Sequence, residues 1–423
     1  MNTVIKGGLV IDQTGERNAD VVVEDGLVVA VGPDLSGDEV LDASGCVVAP
    51  GFVDIHAHLR QPGAEEAETI ETGSWAAVRG GYSAVVAMPN TNPPIDCAAV
   101  VQEVLALGRL APCDVYTSGA ITVGRKGEQL APMAEMAALG VRLFTDDGRG
   151  VQEAGLMRRA MEYAAGLGVV LAQHCEVDSL AAGGHMHEGE WSSRLGIPGV
   201  PAEAEELMVM RDIALSRFTG APIHFQHLST RGSIAMVRAA REAGVEVTAE
   251  AATHHFTLTD EACASYDPVF KVNPPLRPAD DRDAVREGLA DGAVDAIATD
   301  HAPHSPDTKE MPFDQAPPGM LGLETALALA LTELNLPLAE VVGLLTWQPA
   351  AIAGLEGVHG APIAPDGPAN LCVFDPNETW TVDPDALASR SRNTPYAGRQ
   401  VRGRVRHTIV GGRPVLVDQE MRP

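Results

Sequence analysis

Between residues 51 and 357 the chain repeats one hydrophobic pattern. A short apolar run is followed by a polar turn and then by a longer stretch whose apolar residues recur with helical spacing, which is typical of βαβ units. Eight such runs predict the eight strands of a (β/α)8 barrel, a fold that takes roughly 250 residues. The predicted strands cover residues 53–58, 83–88, 114–121, 141–147, 169–176, 222–229, 245–254 and 295–300.

Both ends of the chain carry a different pattern of short apolar runs and tight turns. The clearest is the Asp25-Gly26 turn between two β-branched runs, which is a strong hairpin signal. We predict that residues 1–50 and 358–423 together build one composite β-sandwich domain and that residues 51–357 form the barrel. The predicted fold class is therefore α/β, a (β/α)8 TIM barrel with a small β-sandwich domain built from both chain ends.

Polar side chains gather at the carboxyl ends of the predicted barrel strands, where barrel enzymes carry their sites. In the first strand, alternation puts Asp54, His56 and His58 on one face, so both imidazoles can reach one metal ion. Imidazole and carboxylate groups meeting at one mouth suit a borderline metal such as zinc. The candidate ligands are His56, His58, Asp147, His174, His227 and Asp300.

Strand alternation also helps to choose among neighbouring candidates. In the fourth strand it favours Asp147 as the inward residue and leaves Asp146 pointing away. His224 has the opposite parity to the candidate ligand three residues later, so we expect a packed or surface histidine. His185 and His187 lie in a Gly-rich loop and are expected to be solvated.

Charge and cysteine content restrict the partners. A net charge of −28 excludes nucleic acid and anionic membranes, although one local arginine can still bind a small anionic substrate inside a pocket. The six cysteines are scattered without a Cys-x-x-Cys pair. With no secretory signal and no apolar run long enough to span a bilayer, we expect a cytoplasmic protein with reduced thiols.

With these residues in place, the chain resembles the amidohydrolase superfamily and, within it, the bacterial type I dihydroorotases. The blocks that carry the resemblance are residues 56–63, 88–94, 144–148, 271–277 and 298–304, and the likeness extends over essentially the whole chain. It implies a reversible, zinc-dependent cyclisation of N-carbamoyl-L-aspartate to (S)-dihydroorotate and water, a step of de novo pyrimidine biosynthesis.

The resemblance also implies roles for individual residues. His56, His58 and Asp300 hold one zinc ion, His174 and His227 hold a second, and Asp147 bridges them; two ions are expected, although one remains open. Asp300 is in addition the catalytic residue that takes a proton from water and returns it to the leaving nitrogen. The implied substrate contacts are His58, Arg60, Asn90, Asn273, His304, Pro318 and Gly319.

Residues 305–319 are rich in Pro, Asp and Gly and predict a mobile loop over the mouth. Within that loop, Pro318 stands where the family commonly has Phe.

A cyclic amidase for hydantoin, dihydropyrimidine or allantoin is the first alternative. It predicts a bridging lysine at the fourth strand and no arginine after the second histidine. None of the four lysines lies there, and Arg60 follows His58 by two residues. A metal-poor scaffold would be expected to lack histidine ligands, and all four are present. The resemblance leaves two assemblies open, a homodimer and a complex with an aspartate carbamoyltransferase.

Overall fold

The structure, a computed structural model, describes residues 2–422. Its central element is a parallel barrel made of a three-stranded and a five-stranded sheet. Isolated β-bridges between Gly119 and Phe144 and between Ala57 and His301 join the two sheets. The barrel strands in chain order are Phe52–Ala57, Tyr82–Ala87, Asp114–Thr117, Leu143–Phe144, Val170–Gln173, Ile223–Phe225, Val247–Ala252 and Ala296–Ala298.

Both chain ends contribute to a second sheet, as the sequence predicts. The N-terminal strand Val47–Pro50 pairs with Thr3–Asp12 on one side and, antiparallel, with the C-terminal strand Leu371–Thr381 on the other. Within residues 2–422 this sheet has nine strands, the others being Gly15–Glu24, Leu27–Gly32, Glu39–Asp42, Gln400–Val410, Arg413–Val417 and Glu420–Met421. The boundaries proposed between the two domains stay a prediction.

Helices surround the barrel and connect its strands. The α-helices are Ile70–Arg79, Ala98–Gly108, Met133–Ala138, Ala154–Leu167, Asp178–Ala181, Glu190–Leu195, Glu203–Thr219, Arg231–Glu242, Thr253–Thr257, Ala279–Asp291, Pro306–Lys309, Ala326–Glu333, Leu338–Leu345 and Trp347–Ile352. Short 3-10 turns cover Val123–Arg125, Asp260–Ser265, Pro268–Phe270 and Pro384–Ala386, and a small ribbon pairs Met186–His187 with Gly199–Val200. Across residues 2–422, each helix falls short of the length and hydrophobicity that a membrane span requires.

Small apolar side chains fill the barrel below its polar mouth. Ala172 and Ala298 each lie two residues before a candidate ligand, on the same strand face, and both belong to a buried cluster with Val53 and Leu143. The helix Trp347–Ile352 contributes to the same cluster. The apolar side chains fill the interior up to the mouth, where the polar candidate ligands converge.

The first strand departs from simple alternation. Its pairing with the second strand shifts register between Asp54 and Ala57, and Ile55 packs with the interior cluster. Asp54 instead accepts hydrogen bonds from the Thr299 amide at 3.2 Å, the Thr299 hydroxyl and the His56 amide at 3.1 Å. The expectation that Asp54 shares a face with both histidines is therefore wrong, because a bulge turns the strand just before them.

Candidate metal centre and active site

Asp147 lies at the centre of four buried imidazoles. Its Oδ1 is 3.2 Å from His56 Nε2 and 3.7 Å from both His174 Nδ1 and His227 Nε2, while its Oδ2 is 3.6 Å from His58 Nε2. Each imidazole comes from the carboxyl end of a different barrel strand, except that the first strand supplies two. These residues form two three-membered groups that share Asp147, with potential ligand atoms within 4.8 Å of one another in each group.

Asp300 faces the first of these groups from the end of the eighth strand. Its Oδ1 lies 3.0 Å from His58 Nε2 and 3.6 Å from His56 Nε2. The backbone at Asp300 has φ of 45°, and His227 has φ of 30°. L-residues rarely adopt such angles, and proteins keep this kind of strain mainly at functional sites.

The electrostatics of the cluster favour ionised carboxylates. Burial alone would raise the pKa of Asp147, but the charge of His56 and the close approach of the His174 and His227 imidazoles hold that pKa well below its ordinary value. Burial likewise opposes ionisation of Asp300, whose pKa is nevertheless lowered by the hydrogen bond from His58 and the charge of His56. Two anionic oxygen donors therefore point at buried imidazole nitrogens.

This donor set fits a metal ion. His56 Nε2 is fully buried and makes no hydrogen bond within residues 2–422, although it points at Asp147. A buried polar atom without a partner is costly, and a cation among these imidazoles and carboxylates would satisfy it. Imidazole nitrogen with carboxylate oxygen is the ligand set of borderline divalent metals. The cluster therefore implies a bound metal.

A pocket of about 570 Å³ opens beside this cluster. The predicted substrate contacts all line it, together with five of the six candidate ligands, His56 being the exception: His58, Arg60, Asn90, Asp147, His174, His227, Asn273, Asp300, His304, Pro318 and Gly319. Arg60 donates its Nε–H to the Pro303 carbonyl at 3.0 Å, and its terminal Nη2 lies 3.4 Å from His304 Nε2.

The two asparagines contact the candidate ligands directly. Asn90 Oδ1 lies 2.9 Å from His58 Nδ1, and Asn90 Nδ2 lies 3.3 Å from Asp147 Oδ2. Asn273 Nδ2 lies 3.4 Å from His174 Nε2. These amides are therefore placed both to orient ligands and to reach a molecule in the pocket.

Two lysines tie the loop of residues 305–319 to the mouth. Lys309 Nζ donates to the carbonyls of Pro268 and Pro317, both at 2.9 Å, and Lys271 Nζ donates to the Asp314 carbonyl at 3.1 Å. At the end of the loop, Gly319 has φ of 136°, and a Cβ there would lie 2.9 Å from His304 Nε2. Only glycine fits in this position, which brings the loop backbone against His304.

Known proteins resemble the chain along its whole length. A family model described as Dihydro-orotase-like matches residues 45–233. A curated dihydroorotase from Pelotomaculum thermopropionicum is 49% identical and covers 100% of both chains. One from Streptomyces coelicolor is 46% identical over 99% of both chains, and one from Anaeromyxobacter dehalogenans is 48% identical over 97% of both. The chain belongs to the dihydroorotase family.

Solved structures agree on the fold. L-hydantoinase (dihydropyrimidinase) from Arthrobacter aurescens has a TM-score of 0.89 and 24% identity, covering 100% of this chain and 97% of its own. Dihydropyrimidinase from Brevibacillus agri has a TM-score of 0.86 and 22% identity, covering 100% of this chain and 96% of its own. This likeness confirms the predicted fold class, a (β/α)8 barrel with a small β-sandwich domain.

In this member of the dihydroorotase family, one carboxylate that sequence reasoning missed contacts both halves of the metal cluster. Glu250 is buried in the middle of the seventh strand, with Oε1 2.6 Å from His56 Nδ1 and 3.2 Å from the His227 amide nitrogen. Its Oε2 lies 3.0 Å from His224 Nε2. Burial opposes ionisation, but the charge of His56 and the hydrogen bond from His224 hold the pKa of Glu250 at about 2. Its only sequence signal was a charged residue inside an apolar strand.

Glu250→Gln is expected to weaken metal binding by about 10–100-fold, because a carboxylate on the far nitrogen of a candidate ligand imidazole would fix its tautomer and raise its basicity. Metal retained during dialysis against graded chelator concentrations measures the effect. Glu246→Gln, at an exposed position just before the same strand, serves as the control and should bind metal normally. Equal metal retention in both variants would show that Glu250 does not support the ligands.

His254 is the second residue that sequence reasoning missed near the site. Its Nε2 lies 4.0 Å from Asp300 Oδ2, and neither of its ring nitrogens has a hydrogen bond within residues 2–422. Burial lowers the pKa of His254 to about 4, so the ring is neutral at neutral pH. The predicted seventh strand runs to this residue, but the strand ends at Ala252 and a short helix, Thr253–Thr257, turns the ring toward Asp300.

The structure can be compared with three further sequence predictions, for His187, His224 and Asp146. His187 is buried and its Nδ1 accepts a hydrogen bond from Arg277 at 3.0 Å, so the expectation that it is solvated is wrong. His187 lies in the short ribbon that pairs Met186–His187 with Gly199–Val200. His224 is packed, as expected. Asp146 turns away from the cluster and accepts hydrogen bonds from the backbone amides of Ile121 and Thr122.

Proposed function

We propose that this chain is a zinc-dependent dihydroorotase, which catalyses the reversible cyclisation of N-carbamoyl-L-aspartate to (S)-dihydroorotate and water in pyrimidine biosynthesis. The observation that carries the substrate assignment is a partly buried arginine, Arg60, which lines the same pocket as the candidate metal ligands. Both partners of this reaction carry a carboxylate beside the reacting amide, whereas simple hydantoins do not. Family membership at 49% identity supports the reaction type.

Two zinc ions are proposed to occupy the cluster. His56, His58 and Asp300 would hold one ion, His174 and His227 the other, and Asp147 would bridge them. When bound, zinc supplies Lewis acidity for the ring carbonyl and lowers the pKa of a bound water to about 7. The two overlapping groups of ligand atoms support a pair of sites rather than one.

Asp300 is proposed to move the proton. Its carboxylate is ionised and lies at the face of the cluster that lines the pocket, so it can take a proton from the attacking water. The same carboxyl group then donates that proton to the amide nitrogen as the ring opens. In the cyclisation direction Asp300 takes the proton from the carbamoyl nitrogen and delivers it to the departing water.

The substrate carboxylate is proposed to bind between Arg60 and His304, with Asn90 beside them. Burial lowers the pKa of Arg60 to about 10, so the guanidinium still carries its charge at neutral pH. A planar guanidinium suits bidentate binding of a carboxylate. Asn273 would hold the ring from the opposite side, and the backbone of Pro318 and Gly319 would close over it.

Arg60→Met is expected to lower kcat/KM for dihydroorotate about 100-fold, because removing a charged hydrogen-bond donor from a buried carboxylate site costs about 3 kcal/mol. Steady-state kinetics on zinc-loaded protein measure this loss. Arg149→Met removes an exposed arginine near the same mouth and should leave kcat/KM within about twofold. An unchanged kcat/KM in the Arg60 variant would remove the reason for assigning a carboxylate substrate.

Two further properties are part of the proposal. A cytoplasmic location is supported by the six cysteines, all of which are free. A complex with an aspartate carbamoyltransferase would supply carbamoyl aspartate directly to the mouth. Assays of the chain with and without that partner test this assembly, and full turnover by the chain alone would show that the partner is not required.

A further inference from the structure

A loop of the composite sheet reaches the mouth of the barrel. Residues 382–399 leave that sheet between the strands Leu371–Thr381 and Gln400–Val410, and we call them the C-terminal loop. The two ends of the loop are joined by a hydrogen bond from the Val382 amide to the Arg399 carbonyl at 2.9 Å. The loop therefore leaves and re-enters the sheet at one place, and the residues between its ends extend over the barrel.

The middle of the C-terminal loop buries polar side chains with a period of two. Ser389, Ser391 and Asn393 are each at most 6% exposed. Arg390 and Arg392, which alternate with them, reach the solvent. This alternation is typical of an extended segment that has one face against the protein. Burial of a polar group is costly unless it is hydrogen-bonded, so this face indicates specific polar contacts with the barrel.

Asn393 uses every polar atom of its side chain at the mouth. Its Nδ2 donates to the Ala302 carbonyl at 3.0 Å and to the Gly319 carbonyl at 3.2 Å. Its Oδ1 accepts from the His304 amide at 3.1 Å. In addition, its backbone carbonyl accepts from the Leu321 amide at 3.2 Å. One side chain from outside the barrel therefore joins the backbone after the eighth strand to the backbone at Gly319.

The partners of the Asn393 amide set its orientation. Carbonyl oxygens only accept hydrogen bonds and a backbone amide only donates, so the side-chain nitrogen faces Ala302 and Gly319 and the oxygen faces His304. An aspartate has the same shape but would face the two carbonyls without a donor. The position therefore distinguishes an amide from a carboxylate.

The backbone that Asn393 holds carries both groups of the proposed carboxylate site. Pro303 lies between the two residues that Asn393 tethers on this segment, and its carbonyl accepts the Arg60 Nε–H at 3.0 Å. The His304 ring is tethered as well, with Nε2 2.8 Å from the Pro318 carbonyl. Asn393 itself does not line the pocket. Its effect on a bound molecule therefore passes through the residues that it holds.

We propose that Asn393 is a positioning residue, which fixes Arg60 and His304 so that both meet the carboxylate of dihydroorotate or carbamoyl aspartate. This inference rests on the reaction proposed above. A side chain that its neighbours already hold loses less freedom when a ligand binds, so Asn393 contributes to substrate affinity without touching the substrate. The C-terminal part of the chain thereby takes part in the site, although its strands belong to the composite sheet.

Asn393→Ala is expected to raise KM for dihydroorotate about tenfold and to leave kcat within about threefold, because the carboxylate is bound alike before and during the reaction. Asn393→Asp, which keeps the shape and the acceptor but loses both donors, should show the same rise. Steady-state kinetics on the zinc-loaded full chain measure both constants.

Ser391→Ala is the matched control. Ser391 is equally buried on the C-terminal loop, and its hydroxyl donates to the Ala67 carbonyl at 2.7 Å, which does not line the pocket. This variant should lose stability and keep KM within about twofold. An unchanged KM in both Asn393 variants, or an equal rise in the Ser391 variant, would overturn the proposal.

A double variant shows whether Asn393 acts through the arginine. In an Arg60→Met background, Asn393→Ala should raise KM about threefold or less, because the guanidinium that Asn393 positions is absent. A tenfold rise in both backgrounds would mean that Asn393 does not act through Arg60, and would overturn the proposal.

Hydrogen exchange separates this inference from the proposed reaction, since it needs no turnover. The His304 amide should exchange at least about tenfold faster in Asn393→Ala, whereas the Leu321 amide, which donates to the Asn393 backbone carbonyl, should keep its protection. Equal exchange of the His304 amide in both proteins would overturn the positioning role. Faster exchange in the variant, with no turnover of dihydroorotate by the unchanged protein, would support the positioning role and contradict the proposed reaction.

Discussion

Replacement of Asp300 by Asn is expected to lower kcat for dihydroorotate hydrolysis by about 10³–10⁴-fold, with little change in the fold. General acid–base catalysis by one positioned side chain contributes about 10²–10⁴-fold, and Asp300 is in addition a proposed metal ligand. Asparagine keeps the shape of the side chain and an oxygen donor but cannot accept the proton from water. The expected signature is a loss in kcat with a smaller change in KM.

Asp295→Asn is the matched control for this variant. Asp295 lies just before the eighth strand, forms an ion pair with Arg241 and hydrogen-bonds the Ala249 amide at 2.8 Å, away from the mouth. Its replacement should cost some stability and leave kcat within about twofold. If Asp300→Asn retained kcat within tenfold of the unchanged protein, the proton would have to move through another group. The candidate is His254, which lies 4.0 Å from Asp300 and is not a proposed metal ligand.

Asp147→Ala is expected to abolish stable metal binding and to reduce activity at least about 10³-fold. Asp147 is the one residue shared by the two groups of ligand atoms, so its loss removes an anionic donor from both. The barrel should remain folded, because the residue lies beyond a strand end and its carboxylate faces the pocket rather than the apolar core. Metal content by elemental analysis, together with circular dichroism, measures both results.

Asp146→Asn is the neighbouring control. The Asp146 side chain serves the backbone of residues 121–122 and not the cluster, so this variant should lose stability but keep its metal. Full zinc occupancy in Asp147→Ala would mean that the bridging carboxylate was chosen wrongly. Loss of metal in the Asp146 variant alone would then identify Asp146 as the bridge.

The candidate ligands could be selected from the sequence because they lie at the ends of the predicted barrel strands. In a parallel barrel every strand delivers its last residues to the same mouth, so His174, His227 and Asp300 come together regardless of their distance along the chain. The structure brings these residues within a few ångströms of Asp147. The position of each residue just after an apolar run was therefore enough to select it as a candidate.

Residues whose role depends on contacts between different strands could not be identified from the sequence. Glu250 lies inside a strand, and its importance comes from a contact with His56, which lies 194 residues earlier in the sequence. The bulge after Asp54 was hidden for a similar reason, because it depends on pairing with the neighbouring strand rather than on the alternation of the strand itself. Contacts of this kind require the assembled barrel.

The most direct test of the account is hydrolysis of dihydroorotate by the zinc-loaded protein, measured beside hydantoin and allantoin at equal concentrations. The account predicts turnover of dihydroorotate at least about 100-fold above the two rings that lack its carboxylate, because only this substrate uses the charge of Arg60. Turnover of hydantoin or allantoin with none of dihydroorotate would contradict it, and would leave the barrel and its metal cluster serving a different cyclic amide.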